Sequence, residues 1–205
     1  MIERTSLKQI NSLLEKNKNW KVLDIGCGYT AHEKANYVAD VQDFSKFYQN
    51  KNKFIKIENK ILPFKDKEFD FVIASHVIEH VEDFSFFINE LERISNQGYI
   101  ELPTRLGDNL IFENTTDHIW WFVFDDNEKK LLATKRKQTL EPFLSVATGR
   151  KLTESFRESL VIELIWKDKI NFCLDNSINN NTQKKISFLT IIKKYFSKRL
   201  RMFFS

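Results

Sequence analysis

The sequence predicts an α/β protein organised around a doubly wound, mostly parallel sheet. Three observations carry that prediction. Short apolar, β-branched runs recur between residues 20 and 103, most of them stop at turn-type residues, and segments of helical spacing or turns separate them. Alternating strands and helices are best covered by a parallel sheet with helices on both faces. The chain of 205 residues suits one such domain, and its 42% hydrophobic content is enough for a core.

Leu7, Ile10, Leu13 and Leu14 share one face of a helix predicted between Thr5 and Lys18. Trp20-Lys-Val-Leu-Asp-Ile25 then reads as a buried parallel strand that stops at Gly26. Tyr37–Val41 and Lys53–Glu58 read as the second and third strands, and Phe69–Ser75 as the fourth. Phe84, Phe87, Ile88, Leu91 and Ile94 mark the next helix, and Gly98–Leu102 returns to strand before Pro103. Past Pro103 the alternation ends. Trp120–Phe124 and Lys130–Thr134 flank a polar turn, which predicts an inserted hairpin; Leu160–Trp166 and Ile170–Leu174 predict a second, C-terminal antiparallel hairpin. Gly107 and Gly149 read as turns. The expected organisation is one domain over residues 1–175 with an insertion at about 104–150, a polar linker over 176–183 and a basic amphipathic segment over 184–205.

Composition mostly excludes. Two distant cysteines, Cys27 and Cys173, give neither a disulfide framework nor a cysteine zinc site, and a reducing, cytoplasmic setting is expected. No apolar run approaches the ~20 residues of a membrane span, and the first residues lack the apolar core of a signal peptide. The net charge of +4 conceals a division: residues 184–205 carry seven basic residues and no acid, so the rest of the chain stands at −3. Within that segment Phe188, Leu189, Ile192, Tyr195, Phe196, Leu200 and Phe203 follow helical spacing. The pattern suits peripheral contact with an anionic membrane surface at the inner face. No nucleic-acid motif accompanies the basic residues, so nucleic acid is not expected as a partner.

The sharpest local signal is Val22-Leu-Asp-Ile-Gly-Cys-Gly28. Average usage would place about 14 glycines in a chain of this length, yet there are five, and two of them stand two positions apart. A strand ending in Gly-x-Gly turns sharply and lets a ligand approach the main chain with no Cβ in the way. With Ala31 the segment also satisfies a loose dinucleotide-binding pattern. Asp24 decides between ligands: a carboxylate just before the turn repels a pyrophosphate, whereas S-adenosylmethionine carries a cationic amine and a sulfonium and no phosphate. Asp24 could instead cap backbone amides at the turn.

On these residues the chain resembles class I S-adenosylmethionine-dependent methyltransferases, with a Rossmann-like sheet, from about Trp20 to Pro103. Ile61-Leu-Pro-Phe64 and the run from Glu68 to His80 match the family's third-strand loop and fourth strand in order. The resemblance implies S-adenosylmethionine as cofactor, held by Asp24, Gly26, Cys27 and Gly28. It places Asp40, with Asp43 as the alternative, on the ribose hydroxyls. Glu58 stands where the family has an Asp that reaches the adenine amino group; Asn59 beside it could replace that contact. Ser75 and His76 would line the pocket near the departing methyl, with His76 as the candidate general base. The implied activity is methyl transfer to a small-molecule or sugar/glycan-type acceptor, at oxygen or nitrogen, because the short Gly28–Tyr37 connection and the missing Lys-Pro-Gly-Gly turn also occur in small bacterial methyltransferases acting on sugars or surface glycans. A cofactor-binding protein without catalysis, serving an assembly, is the alternative.

The acceptor pocket is expected from His80, His118, Trp120 and Trp121, whose rings could pack a sugar or attract a sulfonium. Alternating residues of Trp120–Phe124 could equally be the buried face of a hairpin. His76-Val-Ile-Glu-His80 also matches the H-x-x-E-H pattern of inverzincin zinc hydrolases, in which two histidines share a helix face. His76 falls at the end of a predicted strand instead, and no metal is expected.

Overall fold

In the computed structural model, which describes residues 1–49 and 52–174, the chain forms a seven-stranded sheet in the order β1-β9-β6-β5-β2-β3-β4 and a three-stranded sheet in the order β10-β8-β7. The strands are β1 (Ile2–Arg4), β2 (Val22–Ile25), β3 (Tyr37–Asp40), β4 (Lys53–Lys56), β5 (Phe71–Ser75), β6 (Gln97–Pro103), β7 (Trp120–Asp125), β8 (Lys130–Lys135), β9 (Val161–Lys167) and β10 (Phe172–Leu174). The helices are α1 (Leu7–Lys16), α2 (Ser45–Tyr48), α3 (Phe84–Ile94), α4 (Arg105–Leu110), α5 (Asn114–Asp117) and α6 (Val146–Leu160), with a 3₁₀ turn at Ile78–His80. The predicted linker and basic segment lie outside the described residues. Among the described residues no helix is long and apolar enough to cross a membrane.

Strands β2 to β6 pair in parallel, and their alternating side chains feed two cores. On one face Ile10 and Leu14 of α1 meet Val22, Val38, Phe71, Ile73 and Tyr99. On the other, Phe84, Phe87, Ile88, Leu91 and Ile94 of α3 meet Leu23, Ile25, Val72, Ala74, Ile100 and Leu102. Capping fixes where both helices begin: the Ser6 side chain accepts from Gln9 N–H and the Asp83 side chain from Phe86 N–H. The class expected from the sequence is therefore the one observed, and the β7–β8 hairpin forms as predicted.

The C-terminal pair differs from expectation. Strand β9 joins the main sheet antiparallel to β6, and β10 leaves it to run parallel to β8. The cause is burial on both edges: Val161, Ile162, Leu164 and Trp166 are all buried. Strand β9 fills the slot between β6 and β1, which leaves no edge for β10. The chain turns away at Asp168, whose φ is +60°. Strand β1 and helices α4, α5 and α6 were not anticipated. Gly107 and Gly149 lie inside α4 and α6 and not in turns.

Gly98 sits within β6 at a place with no room for a side chain: a Cβ there would lie 2.3 Å from Val72 O and 2.7 Å from Trp166 Nε1. Gly98→Ala must push β5, β6 and Trp166 apart, an overpacking cost of about 1–3 kcal/mol. Thermal unfolding followed by circular dichroism should show a melting point several degrees lower; an unchanged one would contradict this packing.

Candidate functional site

The parallel strands β2, β3, β5 and β6 end on one side of the sheet. Chain order reverses there, since β3 and β4 lie on one side of β2 and β5 and β6 on the other. Ligands of open α/β sheets bind at such a switch point. Strand β2 ends at Gly26, whose φ is +72°, and Gly28 follows at +47°. A Cβ on Gly26 would lie 2.3 Å from Val77 Cγ2, so only glycine fits; around Gly28 the space is open within 4 Å. The turn is pinned from several directions. Gly26 N–H donates to Ala39 O at 2.7 Å, Gly28 N–H to Asp40 Oδ2 at 3.0 Å, and the Tyr48 hydroxyl to Gly28 O at 2.9 Å. No helix follows: residues 29–36 form turns, so the helix N-terminus that receives a dinucleotide's pyrophosphate is missing.

Strand alternation places Asp40, Asp24, Ser75, Glu101 and Glu163 on one face of the sheet, the α1 face. The four acids are all buried. Charge compensation differs across this row. At one end Arg157 pairs with Glu101 through Nη2 and with Glu163 through Nε at 3.0 Å. The Tyr99 hydroxyl bridges Glu101 Oε2 at 2.5 Å and Glu163 Oε1 at 2.8 Å. His76 Nε2 lies 3.1 Å from Glu101 Oε1. At the other end, among the described residues no cation pairs with Asp24 or Asp40. Asp24 accepts His32 N–H at 2.6 Å, so amide capping is realised through one oxygen. Burial, with Glu101 and Asp40 adding repulsion, pushes its carboxyl up to about 7. Asp40 accepts Gly28 N–H and Gln42 N–H, one on each oxygen, leaving lone pairs on both.

Ser75 is half-buried at the end of β5 and His76 follows with φ +54°. Both His76 ring nitrogens face carboxylates, Nδ1 standing 3.2 Å from Glu79 Oε1. The ring is partly exposed at 45%; its partial desolvation opposes the charge, and the bonds to Glu101 and Glu79 outweigh it and hold the imidazole above its ordinary pKa. In this arrangement both ring nitrogens are engaged, and acting as a general base would require His76 to give up one of these carboxylates. Cys27 contributes its backbone only: its side chain is buried in the α1-side core, and burial pushes the thiol up to about 12. Glu58 and Asn59 are exposed after β4, with Glu58 drawn to Lys56 Nζ at 3.2 Å.

The expected acceptor residues divide. Trp120 and Trp121 are both buried and take structural roles, so they do not line a pocket. The Trp120 indole N–H donates to Val81 O at 2.9 Å and its ring meets Phe84 edge-on, with Lys135 Nζ 3.8 Å from its centroid. The Trp121 indole N–H donates to Asp108 Oδ2 at 2.5 Å. Trp120, Phe122 and Phe124 form the one buried face expected of the hairpin, and Trp121 is buried from the other, where Val123 is exposed. His80 and His118 do come together, with ring centroids 4.5 Å apart. Asp108, fully buried, also takes the His118 ring and Arg136 Nε at 2.7 Å; burial raises its pKa, and these donors override burial and lower it. Sequence reasoning missed Tyr48, Glu101, Glu163, Arg157 and Asp108. For Glu101 and Glu163 a signal existed: an acid inside an apolar strand run, as at Asp24.

The fold and its glycine turn define a doubly wound α/β domain with a positive-φ glycine turn at the switch point of its sheet. Residues 23–100 match the family described as methyltransferase domain. It is 36% identical over 121 residues to an uncharacterized protein of Methanocaldococcus jannaschii, covering 52% of this chain and 51% of that one. It is 32% identical over 108 residues to a ubiquinone biosynthesis O-methyltransferase of Pelagibacter ubique, covering 45% of each. The chain thus spans about half the length of the curated relatives it matches. A solved structure from Pyrococcus horikoshii OT3 is similar at 17% identity and a TM-score of 0.45, covering 80% of this chain and 89% of that one.

Because Asp24 stays protonated in the folded protein at pH values where the unfolded chain ionises it, the folded state holds the extra proton between about pH 4 and 7. Stability contributed by Asp24 therefore falls as pH rises through that window, by up to about 1.4 kcal/mol per unit. Denaturant titrations of the wild type and Asp24→Asn should show the wild type losing ground to the variant up to about pH 7 and holding level above it. Parallel curves would contradict the buried, unpaired carboxylate.

Proposed function

We propose that this protein transfers the methyl group of S-adenosylmethionine to a small-molecule or sugar/glycan-type acceptor, at oxygen or nitrogen. The observation that carries this is the uncompensated end of the acid row: Asp24 and Asp40 are buried beside a glycine turn with open space over Gly28. A ligand with a cationic amine supplies the charge that Asp24 lacks, and a ribose supplies donors for the free lone pairs of Asp40. The cofactor, when bound, brings an electrophilic methyl carbon on a cationic sulfur. A pyrophosphate in the same place would meet two carboxylates and no helix N-terminus.

The chain's own contribution to such a transfer is positional. Holding an acceptor in contact and in line lowers the barrier by avoiding the entropy of bringing the reactants together. With His76 engaged by two carboxylates, an acceptor that needs a base loses its proton to another group or to solvent unless the imidazole gives one of them up. The name of the Pelagibacter ubique relative, an O-methyltransferase, supports oxygen as the acceptor atom.

Calorimetry with the full chain should give one S-adenosylmethionine site. Gly26→Val, whose side chain meets Val77 and an unfavourable φ, should weaken affinity by about tenfold or more while circular dichroism shows a folded protein. Labelled methyl donor presented to phenolic, amine and sugar acceptors then tests transfer. Absence of binding at millimolar cofactor would overturn the cofactor assignment; binding without transfer to any acceptor would favour a non-catalytic role.

A further inference from the structure

We propose that Glu79, His80 and His118 form a binding site for a divalent transition-metal ion of the zinc type, at the edge of the cofactor crevice. Among the described residues these three bring one ligand atom each to within 4.8 Å of one another. The carboxylate is unusual in itself. Glu79 is fully buried, one oxygen meets His76 Nδ1, and Oε2 has no hydrogen-bond partner. A buried carboxylate oxygen left without a donor is costly, and a cation satisfies it.

The two imidazoles are already set for metal. His80 Nδ1 bonds Asp117 O at 2.9 Å, and a carbonyl accepts only, so Nδ1 carries the proton and Nε2 the lone pair. His118 Nδ1 bonds the Asp108 carboxylate, which leaves its Nε2 in the same condition. Histidines that ligate metals are usually oriented by a carboxylate or carbonyl on the other nitrogen. Here each has one, and Asp108 is itself locked by Trp121 and Arg136. The ligand-bearing segments are stitched together by two further bonds: Ile119 N–H to Glu79 O at 2.8 Å, and the Trp120 indole to Val81 O at 2.9 Å.

Tetrahedral zinc with ligands at about 2.0–2.1 Å holds them roughly 3.3 Å apart. Closing from the observed spacing takes up to about 1.5 Å, within reach of side-chain rotation at exposed His80. Two imidazoles and one carboxylate select zinc or its transition-metal neighbours over magnesium or calcium. Three protein ligands leave a position for water or a substrate oxygen, the composition of a reactive site and not of a closed structural one. The H-x-x-E-H spacing did not foresee this arrangement, because His76 commits both ring nitrogens to Glu79 and Glu101, and the third ligand, His118, follows α5. The sequence expectation of no metal is revised on that geometry.

Full-length protein stripped with a chelator and titrated with zinc chloride by calorimetry tests the site without any methyl-transfer assay. One equivalent should bind, and zinc should raise the melting temperature. His80→Ala and Glu79→Gln should each weaken binding by about tenfold or more and lose most of the thermal shift. His80 is exposed, so its variant keeps the fold, and cofactor binding by that variant verifies it independently. No stoichiometric zinc binding, or equal binding by the wild type and both variants, would overturn the proposal.

Discussion

The structure depends on a row of buried carboxylates along one face of the sheet, from Asp40 through Asp24 to Glu101 and Glu163. Ionised groups leave water only where partners or protonation offset the loss of hydration. At the Glu101 end the partners are built in: Arg157, the Tyr99 hydroxyl and the His76 ring converge on two acids. That cluster ties β6 to β9 and to α6, and so fixes the half of the sheet against which α4 and α6 pack. At the Asp24 end, among the described residues, only backbone amides are supplied. Burial therefore pushes the Asp24 carboxyl up to about 7, and the row is compensated unevenly from one end to the other.

The loop beyond β2 is shaped by the same constraint. With no helix after Gly28, its amides turn inward, one to Asp24 and one to Asp40, and Tyr48 reaches from α2 to hold the turn by its carbonyl. His32 joins in with a defined tautomer: its Nδ1 accepts Lys34 N–H while its Nε2 faces Asn11 Oδ1, and burial lowers its pKa. A second buried acid, Asp108, organises the other sheet by similar means, gathering His118, Trp121 and Arg136. In both places a carboxylate inside the protein determines where the surrounding side chains point.

Much of this was legible in the sequence where a local pattern had a physical meaning. The glycine turn, the strand register that aims Asp24 and Asp40 to one face, and the helix faces of α1 and α3 follow from period and residue type. Strand β1 was not legible, because three residues carry no period. The destination of β9 was hidden because its slot between β1 and β6 is set by distant strands. Trp120 and Trp121 read as ligand-facing rings, yet both are buried and each indole has an acceptor inside the fold. The two carboxylates that engage His76 were not legible because Glu79 and Glu101 lie on two different elements. Glu101 and Glu163 carried the same signal as Asp24, an acid in an apolar strand, and were passed over for want of a neighbouring glycine turn.

Asp24 is buried and, among the described residues, has no cation beside it; under the proposed function the cofactor supplies one. Carbon-13 NMR titration of its side-chain carboxyl, in the free protein and with saturating S-adenosylmethionine, measures this directly. The account predicts a midpoint near 7 in the free protein and a clear fall on binding, as the ligand's positive charge stabilises the carboxylate. A free-state midpoint near the ordinary aspartate value of about 4, or one that does not move when the cofactor binds, would contradict it.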